Sequence, residues 1–337
     1  MGEPKEVRFE MKIGVIGLGS IGQRHVRCLK ELGYTDIVAL RTKKGTLKKL
    51  ADDLNFIEET SDIEEFYSKK LDGVIIANPT SLHIASMKVA LEKELPIFVE
   101  KPISNSLAQL NEIKNYDTAK VTVGFCLRFH EITEAIKKFL SEEGLGRIYK
   151  ANLYVGQYLP SWHPYAEYQN EYYAREELGG GAIRTLSHEI DLMLHFFGKP
   201  KELTASVEKI SDLEIDVDDN VIIINKMADN SIVKIELDFL NPESTRSGII
   251  IGAKGKLEYS FLELKVEFTD YNKKKETIYN NKNLNPNKMY ISQMKEFIEL
   301  IKNNKKVRCA VDDSIILMKI IKAAEESSKK KIWIKVM

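Results

Sequence analysis

Between Met11 and Gly22 the chain reads Met-Lys-Ile-Gly-Val-Ile-Gly-Leu-Gly-Ser-Ile-Gly, an apolar run that ends in Gly17, Gly19 and Gly22 at the spacing G-x-G-x-x-G. Few conformations accommodate such a stretch. The apolar run predicts a strand and the glycines a tight turn. Ile21, Val26, Leu29 and Leu32 then predict an amphipathic helix that stops near Gly33. Gly17 permits the turn, Gly19 lets a pyrophosphate approach the backbone, and Gly22 lets the helix pack closely on the strand. Phosphates at that helix N-terminus meet free N–H groups and the positive end of the helix dipole. The turn therefore implies dinucleotide binding. The plain alternative is a strand–turn–helix with incidental glycines.

Strands and helices alternate after it. Strands are expected at Asp36 to Leu40, Asn55 to Ile57, Asp72 to Ala77, Pro96 to Val99 and Val121 to Gly124. Helices are expected from Thr46 to Asp53, from Ser61 to Tyr67 with Ser61 as its opening residue, after Asn78-Pro79-Thr80 with His83 in the first turn, and from Ser106. This rhythm implies a doubly wound parallel sheet, which binds ligands beyond the carboxyl ends of its strands. Gly17, Arg41, Asn78 and Lys101 all fall at such ends. Arg41, with Thr42 and Lys43, stands where an acidic residue would take a ribose 2′-hydroxyl. A basic residue there accommodates a 2′-phosphate, so the position favours NADP over NAD, against the alternative of a solvated basic turn.

From about Leu127 the pattern changes. A helix over Glu131 to Ser141 leads to a strand over Arg147 to Gln157. An aromatic loop follows, with Tyr158, Trp162, His163, Tyr165, Tyr168, Tyr172 and Tyr173. Gly179-Gly180-Gly181 precedes a helix ending near Phe197. Paired strands are then expected at Val217 to Met227 and Ser231 to Leu240, at Ile249 to Gly252 and Gly255 to Ser260, and at Leu264 to Phe268 and Glu276 to Tyr279. Successive hairpins point to an antiparallel sheet. Helices over Lys288 to Lys302 and Asp312 to Ser328 and a strand over Ile332 to Val336 close the chain. The domains expected are a dinucleotide-binding domain over 11–127 and a substrate-binding and oligomerisation domain over 128–337.

The 337 residues suffice for two cores, and Lys plus Arg equals Asp plus Glu at 50 each, so no strong field recruits nucleic acid or an anionic membrane. Cys28, Cys126 and Cys309 are scattered without a C-x-x-C pair, which argues against a zinc site or a disulfide framework and suits the cytoplasm. No apolar run approaches a membrane span, and the charged segment Met1 to Glu10 does not read as a signal peptide.

Lys101, at a strand end before a proline, is a candidate proton donor or acceptor for a substrate hydroxyl; the alternative is a surface lysine in a turn. Arg184, His188, Asp191 and His195 share one helical stripe, with His188 as a candidate proton-transfer partner held by Asp191 or another acceptor. His188-Glu189 does not begin H-e-x-x-h, because Leu192 takes the second histidine position, so no metal site is expected. Arg128 is placed to face the same cleft. Tyr158, Trp162 and His163 are candidates for stacking on a sugar ring, with packing or oligomer contacts as the alternative.

Together these segments resemble the glucose–fructose oxidoreductase / inositol dehydrogenase / MocA family over nearly the whole chain from Met11. Asn78-Pro79-Thr80 with His83 is similar to its T-P-x-x-x-H segment, Glu100-Lys101-Pro102 to its E-K-P motif, and Gly179 through Asp191 to its second-domain motif. The resemblance implies an N-terminal Rossmann domain and a C-terminal α/β domain with a large, mostly antiparallel sheet whose open face forms a homo-oligomer interface. It implies nicotinamide-dependent oxidation or reduction of a sugar, cyclitol or related compound. It makes Lys101 and His188 catalytic, places a cis peptide before Pro102, and makes Gly17, Gly19, Ser20, Ile21, Gly22, Arg41, Asn78, Pro79, Thr80, His83, Glu100 and Lys101 cofactor contacts. One position departs from it: many members carry an Asp one turn before the histidine, where this chain has Arg184 and then Thr185. Arg184 is a candidate for holding an anionic substrate group by bidentate bonding. The expected activity is transfer of hydride between NAD(P), with NADP favoured, and a hydroxyl or keto carbon of a sugar derivative. The aromatic insert resembles members acting in surface-polysaccharide or deoxysugar metabolism. The alternatives are a non-catalytic dinucleotide-binding regulator and a reductase of a non-sugar carbonyl or imine.

Overall fold

The computed structural model describes residues 10–42, 50–162 and 167–336. Lys43, His163 and the start of the helix expected from Thr46 lie outside the described residues. The chain divides into two compact units, one containing the chain through Cys126 together with Asn287–Val311, the other Leu127–Pro286 with Asp312–Met337.

In the first unit β1 (Lys12–Ile16) runs into α1 (Ser20–Glu31), and β2 (Asp36–Leu40), β3 (Glu58–Thr60), α2 (Ile63–Ser68), β4 (Gly73–Ile76), α3 (His83–Glu92), β5 (Ile97–Val99), α4 (Leu107–Leu110) and β6 (Val121–Val123) follow. The six strands form one parallel sheet in the order β3-β2-β1-β4-β5-β6. Strand order reverses between β1 and β4, which opens a crevice at their carboxyl ends. Three expectations shift here. The strand expected at Asn55 to Ile57 forms at Glu58–Thr60 instead; this edge strand carries Glu58 and Glu59, both exposed, so it lacks an apolar signature. Between 50 and 53 the only helical turn begins at Asp52 and is 3-10. The cap of α2 is Asp62 rather than Ser61: its carboxylate accepts the Glu65 N–H at 2.8 Å.

In the second unit α5 (Glu131–Ser141) leads to β7 (Ile148–Gly156). Short turns carry the aromatic segment to α6 (Ala182–Thr185) and α7 (His188–Phe197). Then come β8 (Glu202–Glu208), β9 (Asn220–Lys226), β10 (Ile232–Asp238), β11 (Thr245–Gly252), β12 (Gly255–Ser260), β13 (Lys265–Asp270) and β14 (Lys275–Asn280). After α8 (Lys288–Asn303), the chain ends in α9 (Val311–Lys330) and β15 (Ile334–Lys335). Nine strands make one sheet in the order β14-β13-β12-β11-β7-β10-β9-β8-β15. All its pairs are antiparallel except β7 with β10. That one parallel pair, and the strand β8, were not foreseen from the sequence. Ile223, Ile235, Leu153, Gly248, Tyr259 and Val266 stand in register across six strands, and all are buried. One step along, the register Ile224, Lys234, Asn152, Ile249, Glu258 and Glu267 faces the other way and is partly or fully exposed. Helices α5, α6 and α7 pack on the buried face.

The free edge of β8 is closed from α9. Ser327 Oγ accepts the Ala205 N–H at 3.0 Å and Ser328 Oγ accepts the Val207 N–H at 2.9 Å, beyond the two residues that β15 pairs.

The segment 287–311, expected within the second domain, packs with the first unit. Met294, Phe297, Ile298 and Leu300 of α8 join Ile13, Leu29 and Ile75 in one core. The segment after α8 also closes a sheet edge, because the Val123 N–H of β6 donates to the Cys309 carbonyl at 2.9 Å.

Candidate active site

The first unit gathers its candidate residues at the carboxyl ends of β1, β2, β4 and β5. Gly17 has φ +92°, and a Cβ there would lie 2.7 Å from the Asn78 backbone nitrogen, so β1 and β4 meet where only glycine fits. A Cβ on Gly22 would stand 2.1 Å from the Gly17 carbonyl oxygen, which confirms the close helix–turn approach. At Gly19 a Cβ would meet nothing within 4 Å, so the middle of the turn faces open space. Helix α1 begins at Ser20 with no side-chain cap and no acidic residue in its first turn. Uncapped N–H groups, space and a lone helix dipole are what a pyrophosphate needs. The residues present therefore fit a dinucleotide.

The neighbouring loops are braced by buried side chains. His83 is 1% exposed; Nδ1 lies 2.9 Å from the Pro102 carbonyl oxygen and Nε2 lies 2.9 Å from that of Asn78. It ties the loop after β4 to the loop after β5. Burial pushes the imidazole pKa down, against the two carbonyls, which favour the proton. Asn78 also donates from Nδ2 to Ser86 Oγ at 2.9 Å, and Thr80 is buried. The Lys101–Pro102 peptide is cis, as the resemblance implied. Glu100 is buried; Oε1 lies 2.7 Å from His25 Nε2, and Oε2 accepts the Lys101 backbone N–H at 3.1 Å. Despite the cost of burial, the His25 bond and the charge of Lys101 hold the Glu100 carboxyl below its usual range. Arg41 is buried and bonds Glu59 Oε2 through Nη1 at 3.0 Å, while Thr42 is exposed.

In the second unit the continuous stripe expected from Arg184 to His195 does not form. The helix breaks at Leu186, whose ψ of 23° leaves the helical range, so Arg184 belongs to α6, and His188 opens α7. Asp191 is not the holder of His188. Its carboxylate is gripped bidentately by Arg128, Nη2 to Oδ1 at 2.7 Å and Nε to Oδ2 at 3.0 Å, and Arg128 Nη1 reaches Asp313 Oδ2 at 2.7 Å. Arg128 and Asp191 are both buried, so this ion pair braces α7 against the start of α9. Arg184 Nη2 donates to Glu325 Oε1 at 2.5 Å, so an anionic substrate group would have to compete with that carboxylate. His188 is 8% exposed. Tyr158 is exposed, whereas the Trp162 ring packs edge-on against Tyr173 at 5.1 Å and Phe239 at 5.4 Å, the packing alternative.

Three groups in these sites escaped the sequence reading. His25, Glu59 and Asp218 each sit in stretches without a motif of their own. Asp218 caps α6: Oδ2 accepts the Ile183 N–H at 2.8 Å and its carbonyl accepts the Ala182 N–H at 2.9 Å. Gly181, at φ +104°, makes room, since a Cβ there would fall 2.2 Å from Asp218 Oδ1. Burial pushes the Asp218 carboxyl up to about 6. Among the described residues no group of three or more His, Cys, Asp or Glu could hold a metal ion, and no helix is long and apolar enough to cross a membrane.

Comparison with known proteins draws these features together. A family described as oxidoreductases with an NAD-binding Rossmann fold matches residues 11–124, and the GFO/IDH/MocA C-terminal domain matches residues 133–258. The chain belongs to the GFO/IDH/MocA family. One relative is the uncharacterized oxidoreductase YrbE of Bacillus subtilis, 30% identical over 139 residues, 40% of each chain. Another is the scyllo-inositol 2-dehydrogenase (NADP(+)) IolW of the same organism, 26% identical over 205 residues, 58% of this chain and 54% of that protein. The matches thus span only about half the length of these GFO/IDH/MocA relatives. Among solved structures, a levoglucosan dehydrogenase complex with NADH and levoglucosan superposes with a TM-score of 0.84 at 19% identity, covering 97% of this chain and 99% of that one. It shares the fold of this GFO/IDH/MocA member.

Proposed function

We propose that the protein is an NAD(P)-dependent oxidoreductase that moves hydride between a nicotinamide and the hydroxyl or keto carbon of a sugar or cyclitol. The observation that carries this reading is the first unit's loop cluster: an uncapped helix start beside open space at Gly19, with Lys101 braced at the end of β5, two strands away in the same sheet. Relatives named for inositol and a fold neighbour named for levoglucosan support the substrate class. When bound, the dinucleotide supplies the hydride acceptor or donor. The backbone of Gly17 to Gly22 holds its pyrophosphate. Lys101 and His188 exchange the substrate hydroxyl proton and orient the carbinol. Lys101→Ala is expected to cut kcat at least a hundredfold on whichever polyol a screen of inositols and anhydrosugars selects, with NAD(P)H binding nearly unchanged. Full turnover by that variant removes Lys101 from the chemistry. Saturable cofactor binding with no turnover of any hydroxyl or keto compound by the intact protein favours the regulatory alternative, for which the Arg184–Glu325 pair at the expected Asp position speaks.

NADP is the cofactor favoured, on the strength of Arg41 at the end of β2. Glu59 keeps that guanidinium in place and at the same time competes for it with a 2′-phosphate. Glu59→Gln is therefore expected to tighten NADPH binding several-fold while leaving NADH unchanged, and Arg41→Ala to weaken NADPH alone; fluorescence titration reads both. Equal effects on the two cofactors refute the assignment.

A further inference from the structure

His25 plays no part in the reading above, yet it is fully buried on α1 one turn beyond Gly22, and it touches Glu100, whose carboxylate accepts the Lys101 backbone N–H. The surroundings leave that carboxylate no latitude. The His25 ring packs edge-on against Phe98 at 4.8 Å, which fixes the direction of Nε2. A Cβ on Gly124 would lie 2.9 Å from Glu100 Oε2, so the far side is closed by backbone. One carboxylate oxygen thus takes a side-chain donor at 2.7 Å and the other takes the Lys101 N–H at 3.1 Å. Charge-assisted bonds of this kind are short and directional, and a buried carboxylate that lost one would have to move or neutralise.

We propose that Glu100, held by His25, is a positioning residue for Lys101: it fixes the Lys101 backbone and keeps a buried negative charge one residue from it, so that the lysine rests as a proton donor. The inference builds on the assignment of Lys101 to proton transfer. By reciprocity, the attraction that holds the Glu100 carboxyl down favours the charged form of Lys101. The other titratable groups around the carboxylate and its neighbours are Arg24 on α1, His83 at the start of α3, Cys126 beyond β6 and Tyr290 on α8. All of them stay in place in the variants below.

Reductive methylation with formaldehyde and cyanoborohydride, read residue by residue by mass spectrometry from pH 7 to 11.5, past the ordinary lysine midpoint of about 10.4, reports the free-amine fraction of Lys101 with no substrate present. Exposed Lys138 serves as the internal reference. Glu100→Gln is expected to move the Lys101 profile to lower pH, raising its labelling near pH 7.5 roughly three- to tenfold with the alkaline plateau unchanged. His25→Leu is expected to do the same, because the buried carboxylate loses its donor, and His25→Gln, which keeps an N–H, to restore the wild-type profile. A merely structural loosening multiplies labelling equally at every pH. That result, or an unmoved profile in folded Glu100→Gln, overturns the proposal, and His25→Gln behaving like His25→Leu removes His25 from it. Turnover by Lys101→Ala bears on the catalytic assignment alone and leaves the labelling profile as it was, so the two failures are distinguishable.

Discussion

Asp218 and His130 set opposite slopes on stability over the same pH window. Burial pushes the Asp218 carboxyl up to about 6, against about 3.9 unfolded, so between these values the folded state holds more protons and stability falls as pH rises. Burial pushes the His130 imidazole down to about 4, against about 6.5 unfolded, because the ring lies beside Phe261 and its Nδ1 must stay bare to accept the Ile132 N–H. The unfolded state then holds more protons, and stability rises with pH. Asp218→Asn keeps an oxygen for the Ile183 N–H but removes the first slope. The variant is expected to gain on the order of 1–3 kcal/mol relative to wild type as pH rises from 4 to 7, read by urea unfolding at each pH. Parallel curves for the two proteins would show that Asp218 ionises as it does in water. Neither group was visible in the sequence: Asp218 stands in a run of acidic residues, and only the approach of Gly181 singles it out. Gly17, Lys101 and His83 were legible because backbone geometry and strand ends impose residue types at fixed spacings. Side-chain partners such as His25 with Glu100, or Arg128 with Asp191, lie many positions apart and leave no such spacing.

At the scale of elements, α8 was read correctly as a helix and placed in the wrong unit. Helical periodicity shows which face of a helix is apolar and says nothing about which core receives it. Phe297 is fully buried with its ring edge-on to Phe98 at 5.9 Å. Phe297→Ala is expected to cost about 3–5 kcal/mol, with hydrogen exchange accelerating in peptides from β1, β4 and β5 and staying unchanged in those from β9 and β10. Acceleration in β9 and β10 instead would place α8 with the other core. The missed strand β8 has its own reason. Leu203, Ala205 and Val207 alternate with polar residues, but alanine weakens the signal, and part of its pairing comes from Ser327 and Ser328 on a helix far along the chain. The β7–β10 pair escaped because adjacent hairpins suggest antiparallel neighbours, whereas a long connection is what parallel strands require.

For the whole molecule, the outward face of the nine-stranded sheet is the surface that bears on assembly. Its outward rows carry Ile222, Ile224, Ile232, Ile249 and Ile251 among lysines and glutamates that pair along their own strands, Lys256 with Glu258 and Lys265 with Glu267 at 2.7 Å each. A face studded with isoleucine, whose lysines pair with glutamates on their own strands, suits packing against its own copy about a two-fold axis. We propose that homo-oligomers form through it. Ile249→Asp with Ile222→Asp is expected to yield monomers in sedimentation velocity while NAD(P)H binding persists; an unchanged sedimentation coefficient would place the contact elsewhere. The placement of α8 also bears on how the chain is born. The ribosome releases β1 to β6 early, but Met294, Phe297, Ile298 and Leu300, which complete their core, emerge only after every strand of the larger sheet but the last has been made. During that interval the first unit has a sheet and an open apolar wall, a natural holding point for a chaperone.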